Sequence, residues 1–294
     1  MSAATSTAEL EFRRGPFRSL LVSRMGQAGL VMVVFMVLLV FLGPLLAPYS
    51  PTETAVGPAA TGPSGQHLLG TDALGRDVLS RVLDGGRSLI ILPLLAVTIS
   101  YLVGSILGIA GAYYGGRVDT VIARLFDILL TFPPLLLVLV VVAGLGSSSV
   151  VIVLTVAAVF APRAGRVCRG AAQVVCLQDY VVAAQARGER DSSVMLHEVL
   201  PNIAAPMLSD YALRITYAIV FVATLNFLGL GAQPPNPDWG LMIAENRQIL
   251  PVAPLSVLAP AAAIAVLGVG LNLVAETLAR SWSAEEPSGQ RQVV

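Results

Sequence analysis

Residues 88–116 read SLIILPLLAVTISYLVGSILGIAGAYYGG, so the chain carries no charge between Arg87 and Arg117. A helix that crosses a bilayer needs ~20 consecutive, mostly apolar residues, and this run is long enough. Working outward, the same holds between Arg24 and Glu53, Asp127 and Arg163, Arg214 and Asp238, and Arg247 and Glu276. The interval after Asp127 is interrupted by GLGSSS at residues 144–149, a turn-forming stretch, and with Ile122–Asp127 included it holds two spans. Six spans are therefore expected, near residues 27–47, 89–112, 121–144, 148–167, 210–230 and 253–276. Unpaired backbone groups are too costly in hydrocarbon, and no alternating barrel pattern is present, so every span reads as helix. The fold class is all-α integral membrane.

Composition agrees, with 55% hydrophobic and 12% charged residues in 294. That is too apolar and charge-poor for an ordinary soluble domain. All 18 basic residues are arginine. Without lysine there is no phosphate-binding loop of the G-x-x-x-x-G-K-[ST] type, no Schiff base and no S-x-x-K arrangement. A formal net charge of zero gives no nucleic-acid footprint. No Ser-His-Asp, HExxH or paired-carboxylate pattern is discernible in the spans, so no catalysis is expected of this chain. No metal site is expected either, because His67 and His197 fall on opposite sides of the membrane in the topology below. Cys168 and Cys176 match no common zinc spacing and read as packing residues.

Arginine sets the orientation. With a cytosolic N-terminus, thirteen arginines fall in inside segments and four (Arg76, Arg81, Arg87 and Arg247) outside, with Arg214 uncounted. The positive-inside rule then gives N-in, C-in. Residues 1–26 and 277–294 become cytosolic tails, 48–88 and 231–252 external loops, and 168–209 a cytosolic loop. Ala28–Leu46 is too long an apolar stretch for a signal-peptide core, so it reads as a retained span.

The most informative segment outside the spans is Asp179–Asn202, DYVVAAQARGERDSSVMLHEVLPN. It is too polar to span and is patterned as two short helices, the first over about Asp179–Arg187. Tyr180, Ala183, Ala184 and Arg187 share a face by i, i+3, i+4 spacing, with small side chains between larger ones. Gly188 suits the left-handed conformation that closes a helix, and Asp191 can cap the next. Isolated helices below ~12 residues are not stable in water. Either the bundle's own ends or a partner must hold them, and pattern alone leaves both open.

In the external loop, Thr71 or Asp72 can cap a short interfacial helix with an apolar stripe of Leu79, Val82 and Leu83, stopped by Gly85 and Gly86. Pro234, Pro235 and Pro237 forbid continuous helix and predict a rigid loop. Asp127 and Arg124 are placed in the first turns of the third span, as interfacial anchors or as path-lining groups. Asn226 and Asn272 are expected to face the bundle interior and bond between helices.

These segments also carry a resemblance. A-A-x-A-x-G at residues 183–188 followed by H-x-V-L-P-N at residues 197–202 resembles the EAA loop of ABC-importer permeases. Ala183, Ala184, Gly188, Leu200, Pro201 and Asn202 match, while Val182 stands where a glutamate is usual. HLLGTDALGRDVLSRVLDGGR (67–87) and NFLGLGAQPPNPDWGLMIAENR (226–247) resemble blocks of C-type permeases of the dipeptide/oligopeptide (nickel) family. After the sixth span, Ala275-Glu276-Thr277 replaces that family's usual Gly-Asp-Gly.

The resemblance implies a bacterial inner-membrane permease subunit, paired with a homologous permease subunit. It implies a coupling helix docked on two ATPase subunits, or one fused ATPase, through Ala183, Ala184, Arg187, Gly188, Asp191 and Pro201. ATP and Mg would sit on those partners, with no cofactor on this chain. An extracytoplasmic binding protein would contact Asp72, Arg76, Asp77, Arg81, Pro235 and Trp239. Such permeases handle peptides, nickel chelates or glutathione, so the solute stays open. An ion-coupled carrier is the alternative, and would want ionisable residues at mid-membrane, which are not evident in the pattern. A non-transporting scaffold is another.

Overall fold

Each charge-free interval is mostly helical. The computed structural model describes residues 20–283. In it α1 spans Arg24–Leu42, α2 Val78–Asp84, α3 Arg87–Tyr114, α4 Gly116–Thr131 and α5 Pro134–Leu145. They are followed by α6 Ser149–Val175, α7 Asp179–Ala186, α8 Ala204–Phe227, α9 Trp239–Asn246 and α10 Leu255–Ser283. Among the described residues no β-strand forms. Of the expected tails, residues 1–19 and 284–294 lie outside the described residues.

Five helical stretches are long and apolar enough to cross a membrane, and the pair α4–α5 makes a sixth if counted as one span. That pair corrects the expectation of a continuous helix over 121–144, because α4 and α5 meet at 83°. The cause is Phe132-Pro133-Pro134. Neither proline has an N–H to donate, and a residue before proline is pushed out of the α region. Phe132 and Pro133 accordingly adopt extended ψ values of 133° and 123°.

The centre of the bundle is the α3–α6 pair, the most extensively packed in the chain. Lipid offers no hydrophobic force between helices, so close approach of small residues has to hold them. A Cβ on Gly108 would lie 2.5 Å from the Gly165 carbonyl oxygen, and one on Gly165 would lie 2.3 Å from the Phe126 ring of α4. The glycines let two backbones and a buried aromatic share one contact. On the other flank, α10 packs against α1 and α8.

One end of the bundle carries the segments 43–86 and 228–254, which meet each other. The opposite end carries Cys176–Ile203, between α6 and α8. Helix α2 packs on the turn Gly43–Leu46, α1 and α10 with Val78 and Val82 buried, so its apolar stripe faces protein. Its N-cap is Asp77, which accepts from the Ser80 amide at 2.8 Å, in place of Thr71 or Asp72.

Candidate functional site

At the Cys176–Ile203 end, α7 is an eight-residue helix closed by Gly188 at φ +77°. Val181 and Ala184 are fully buried against Val194, with Tyr113 of α3 and Val175 of α6 packed around them. This corrects the expected face, because Ala184 points into the bundle and Ala183 points away. Tyr180, Val182, Ala183, Ala186 and Arg187 form the uncovered side. The bundle's own ends hold one face of α7 and leave the other open.

Asp191 does not cap a helix as expected. It is the first residue of the turn Asp191–Val194, and its Oδ1 accepts from the Tyr113 hydroxyl at 3.0 Å. The chain continues through a π turn, Met195–Val199, in which the Leu200 amide donates to the Met195 carbonyl. Pro201 cannot donate to the carbonyl four residues back, and a wider turn accommodates that loss. Pro201 itself is exposed. Arg187 pairs with Glu189 at 2.6 Å on the open side.

At the other end, two loops distant in sequence are joined by buried ions. Arg76 Nε donates to Asp72 Oδ2 at 2.5 Å, and Arg76 Nη2 and Arg81 Nη2 both donate to Glu245 Oε2, at 2.8 and 2.9 Å. Asn246 Oδ1 accepts from the Ala73 amide at 3.1 Å. Asp77 takes His67 Nδ1 at 2.9 Å, and the imidazole lies against Tyr49. Trp239 is fully buried and donates Nε1–H to the Val82 carbonyl at 2.8 Å. Asp238 caps α9 through the Gly240 and Leu241 amides and accepts from the Ser88 hydroxyl. Burial holds its carboxyl pKa above the ordinary value, against the pull of these donors.

This clamp corrects the contact assignment. Asp72, Arg76, Asp77, Arg81 and Trp239 are all at most 2% exposed, so none presents a surface to a partner. Pro235 lies in the exposed run Gln233–Asn236.

Between the ends, a polar cluster spans α3 and α8. Tyr101 lies midway along α3 and donates its hydroxyl proton to Asp210 Oδ2. Arg214, near the middle of α8, pairs with Asp210 through Nη2 at 3.1 Å and Nε at 3.2 Å. The hydroxyls of Thr98 and Tyr211 share a hydrogen bond of 2.8 Å, and the rings of Tyr101 and Tyr211 meet edge to face. Asp210 and Arg214 remain about one-fifth exposed, at 19% and 21%.

Of the other polar positions, Asp127 and Asn272 differ from expectation. Asp127 lies in the last third of α4, half exposed, and pairs with Arg166 of α6. Asn226 is buried; its Oδ1 accepts from the Ala232 amide and fastens the turn after α8, and its side chain also lies against the Asp238 carboxylate at the start of α9. Asn272 is exposed on α10, not turned to the interior of this subunit.

Comparison with known proteins adds an independent line. The family described as "Binding-protein-dependent transport system inner membrane component" matches residues 100–283. The chain belongs to that family of permeases. The family described as "N-terminal TM domain of oligopeptide transport permease C" matches residues 13–63. The dipeptide transport system permease protein of Alkalihalophilus pseudofirmus is 36% identical over 90% of this chain and 87% of its own length. The probable D,D-dipeptide transport system permease protein of Escherichia coli is 37% identical over 83% of this chain and 82% of its own. The glutathione transport system permease protein of Pectobacterium atrosepticum is 33% identical over 74% of this chain and 72% of its own.

The match runs over both ends of the permease and the cluster between them. Sequence reasoning found the two end segments, but missed Asp210, Tyr101 and Glu245. The signal for the first was available, since Asp210 and Arg214 stand four apart on one helix, the spacing of an intrahelical ion pair. An ionisable pair therefore lies in the first half of α8.

Proposed function

We propose that this permease subunit forms half of the path of an ATP-driven peptide importer in a bacterial inner membrane, oriented N-in and C-in. A homologous subunit supplies the other half, and an extracytoplasmic binding protein delivers solute at the end that carries Gln233–Asn236. ATPase subunits, which hold ATP and Mg, dock on α7 from the cytosol. Their closure pushes on α7 and switches the path between inward-open and outward-open states.

The observation that supports this best is the two-sided packing of α7. One side is fused to α3 and α6 through Val181, Ala184, Val194, Tyr113 and Val175, so displacement of α7 must move membrane helices. The other side is uncovered, with Val182, 50% exposed, beside Ala183 and with Arg187 paired to Glu189 at its end. Val182 points outward where related loops carry glutamate, which leaves docking to shape and to Arg187. Peptides are the favoured solute because the relatives named for dipeptide transport cover most of this chain. Glutathione, itself a peptide, falls in the same class.

Purification of the chain from membranes that contain its operon neighbours tests the docking. An ATPase subunit should co-purify with the parent and be lost from Ala183→Arg. Absence of any ATPase from the parent preparation would end the importer reading. The pair Asp210–Arg214 is what an ion-coupled carrier would want at mid-depth. It is internally neutralised and is better accounted for by the inference below.

A further inference from the structure

The polar cluster between α3 and α8 has an open side. The Nε and Nη2 edge of Arg214 is engaged by Asp210, and Asp210 is in turn held by Tyr101. Guanidinium presents five donors in a planar fork. The guanidinium also lies beside the Tyr101 hydroxyl, no hydrogen bond engages Nη1 among the described residues, and the side chain keeps 21% of its surface. Thr98 is exposed beside the cluster, and Tyr217, one turn beyond Arg214, is 64% exposed. Polar groups at this depth are too costly to leave in contact with lipid chains, and in spanning helices they face a bundle interior or a water-filled cavity. The face made by Thr98, Tyr211, Arg214 and Tyr217 is therefore directed at the path.

We infer that Arg214 is a carboxylate-binding residue of the translocation path, with Asp210 and Tyr101 as its positioning residues. Asp210 fixes the guanidinium plane and consumes one edge of the fork. The free edge fits a planar carboxylate, the group that Arg recognises with two parallel hydrogen bonds. Asp210 has its own oxygens occupied, so the cluster selects for the anionic terminus of a solute over its ammonium. The hydroxyls of Thr98 and Tyr211 stand beside it as further polar partners. Binding is kept weak because the arginine is already paired, which suits a site that must release its cargo. The inference rests on the peptide-importer reading.

The test uses the complete importer complex in lipid nanodiscs with Thr98→Cys as a reporter and the parent chain as background. A charged, water-soluble methanethiosulfonate should label the new thiol. Millimolar dialanine should slow the labelling about tenfold, the factor lost with one charge-assisted hydrogen bond, and dialanine amide should not. Arg214→Gln should abolish the protection and Arg214→Lys should restore part of it. Equal protection by dialanine and its amide, or no labelling by the water-soluble reagent in any nucleotide state, would overturn the inference. Because the reporter retains Arg214, the peptide-against-amide comparison stands even if Arg214→Gln fails to assemble. ATP-driven uptake by the parent complex is read in parallel, so that failure of the importer reading is distinguished from failure of the site.

Discussion

The Tyr113 hydroxyl donates to Asp191 Oδ1 across 3.0 Å and ties the last turn of α3 to the turn that follows α7. The same tyrosine packs against the cluster of Val181, Ala184 and Val194, so its ring holds α3 to α7 while its hydroxyl holds α3 to the turn that follows. A push on α7 is thereby delivered to the helix that carries Tyr101. Tyr113→Phe keeps the ring and removes the bond, at a cost of about 1 kcal/mol. ATPase subunits should still bind the variant, while solute transported per ATP falls several-fold in proteoliposomes.

Neighbouring alanines should behave in opposite ways. Ala183 is exposed, so Ala183→Arg should leave helix content and expression unchanged and weaken ATPase co-purification. Ala184 is fully buried. Ala184→Arg forces a charge into a packed contact and should unfold α7, which hydrogen exchange over residues 179–186 would detect as lost protection.

Val182→Glu restores the residue type usual in related loops at an exposed position. It should change stability by less than about 0.5 kcal/mol. Any effect should appear in ATPase affinity, measured by titration of the ATPase subunit against the nanodisc-embedded permease.

At the opposite end, Arg76→Ala would strand Asp72 and Glu245 with one fewer cation inside the protein. Breaking a buried pair in this way costs about 3–5 kcal/mol. Thermal unfolding in detergent should shift markedly downward for Arg76→Ala and much less for Glu245→Gln, which keeps an acceptor at the partly exposed partner.

Asp238 gives a pH dependence of defined sign. Burial raises its folded pKa above the ordinary value, so the folded loop binds the proton more tightly than the open one. Its contribution is full below the unfolded pKa and declines as pH rises through the folded one. Protection of residues 238–246 from hydrogen exchange should therefore fall as pH is raised through that range, after correction for intrinsic exchange. Asp238→Asn should remove the dependence.

The spans were legible because hydropathy and missing charge act over ~20 residues and need no knowledge of neighbours. The break at Phe132-Pro133-Pro134 is written in the sequence, but hydropathy does not mark it because the run remains apolar through it. The positions of α7 and Gly188 were readable from local pattern. Which alanine faces inward was not, since a helix of eight residues has no strong apolar periodicity and Tyr113, 71 residues before Ala184, decides it. The clamp is hidden in local pattern for the same reason. Asp72, Arg76 and Arg81 look like surface charges until Glu245, far along the chain, arrives to bury them. Local pattern reports what a segment can do, and long-range packing selects which side of it is free.

Uptake by the reconstituted complex tests the central claim most directly. Proteoliposomes that contain this permease, its partner permease and the ATPase subunits, with peptide-loaded binding protein on the opposite side from ATP, should accumulate peptide only while ATP is hydrolysed. Ala183→Arg should abolish that accumulation without unfolding the chain. Accumulation driven by an imposed ion gradient in the absence of ATPase, or full activity of Ala183→Arg, would contradict the account.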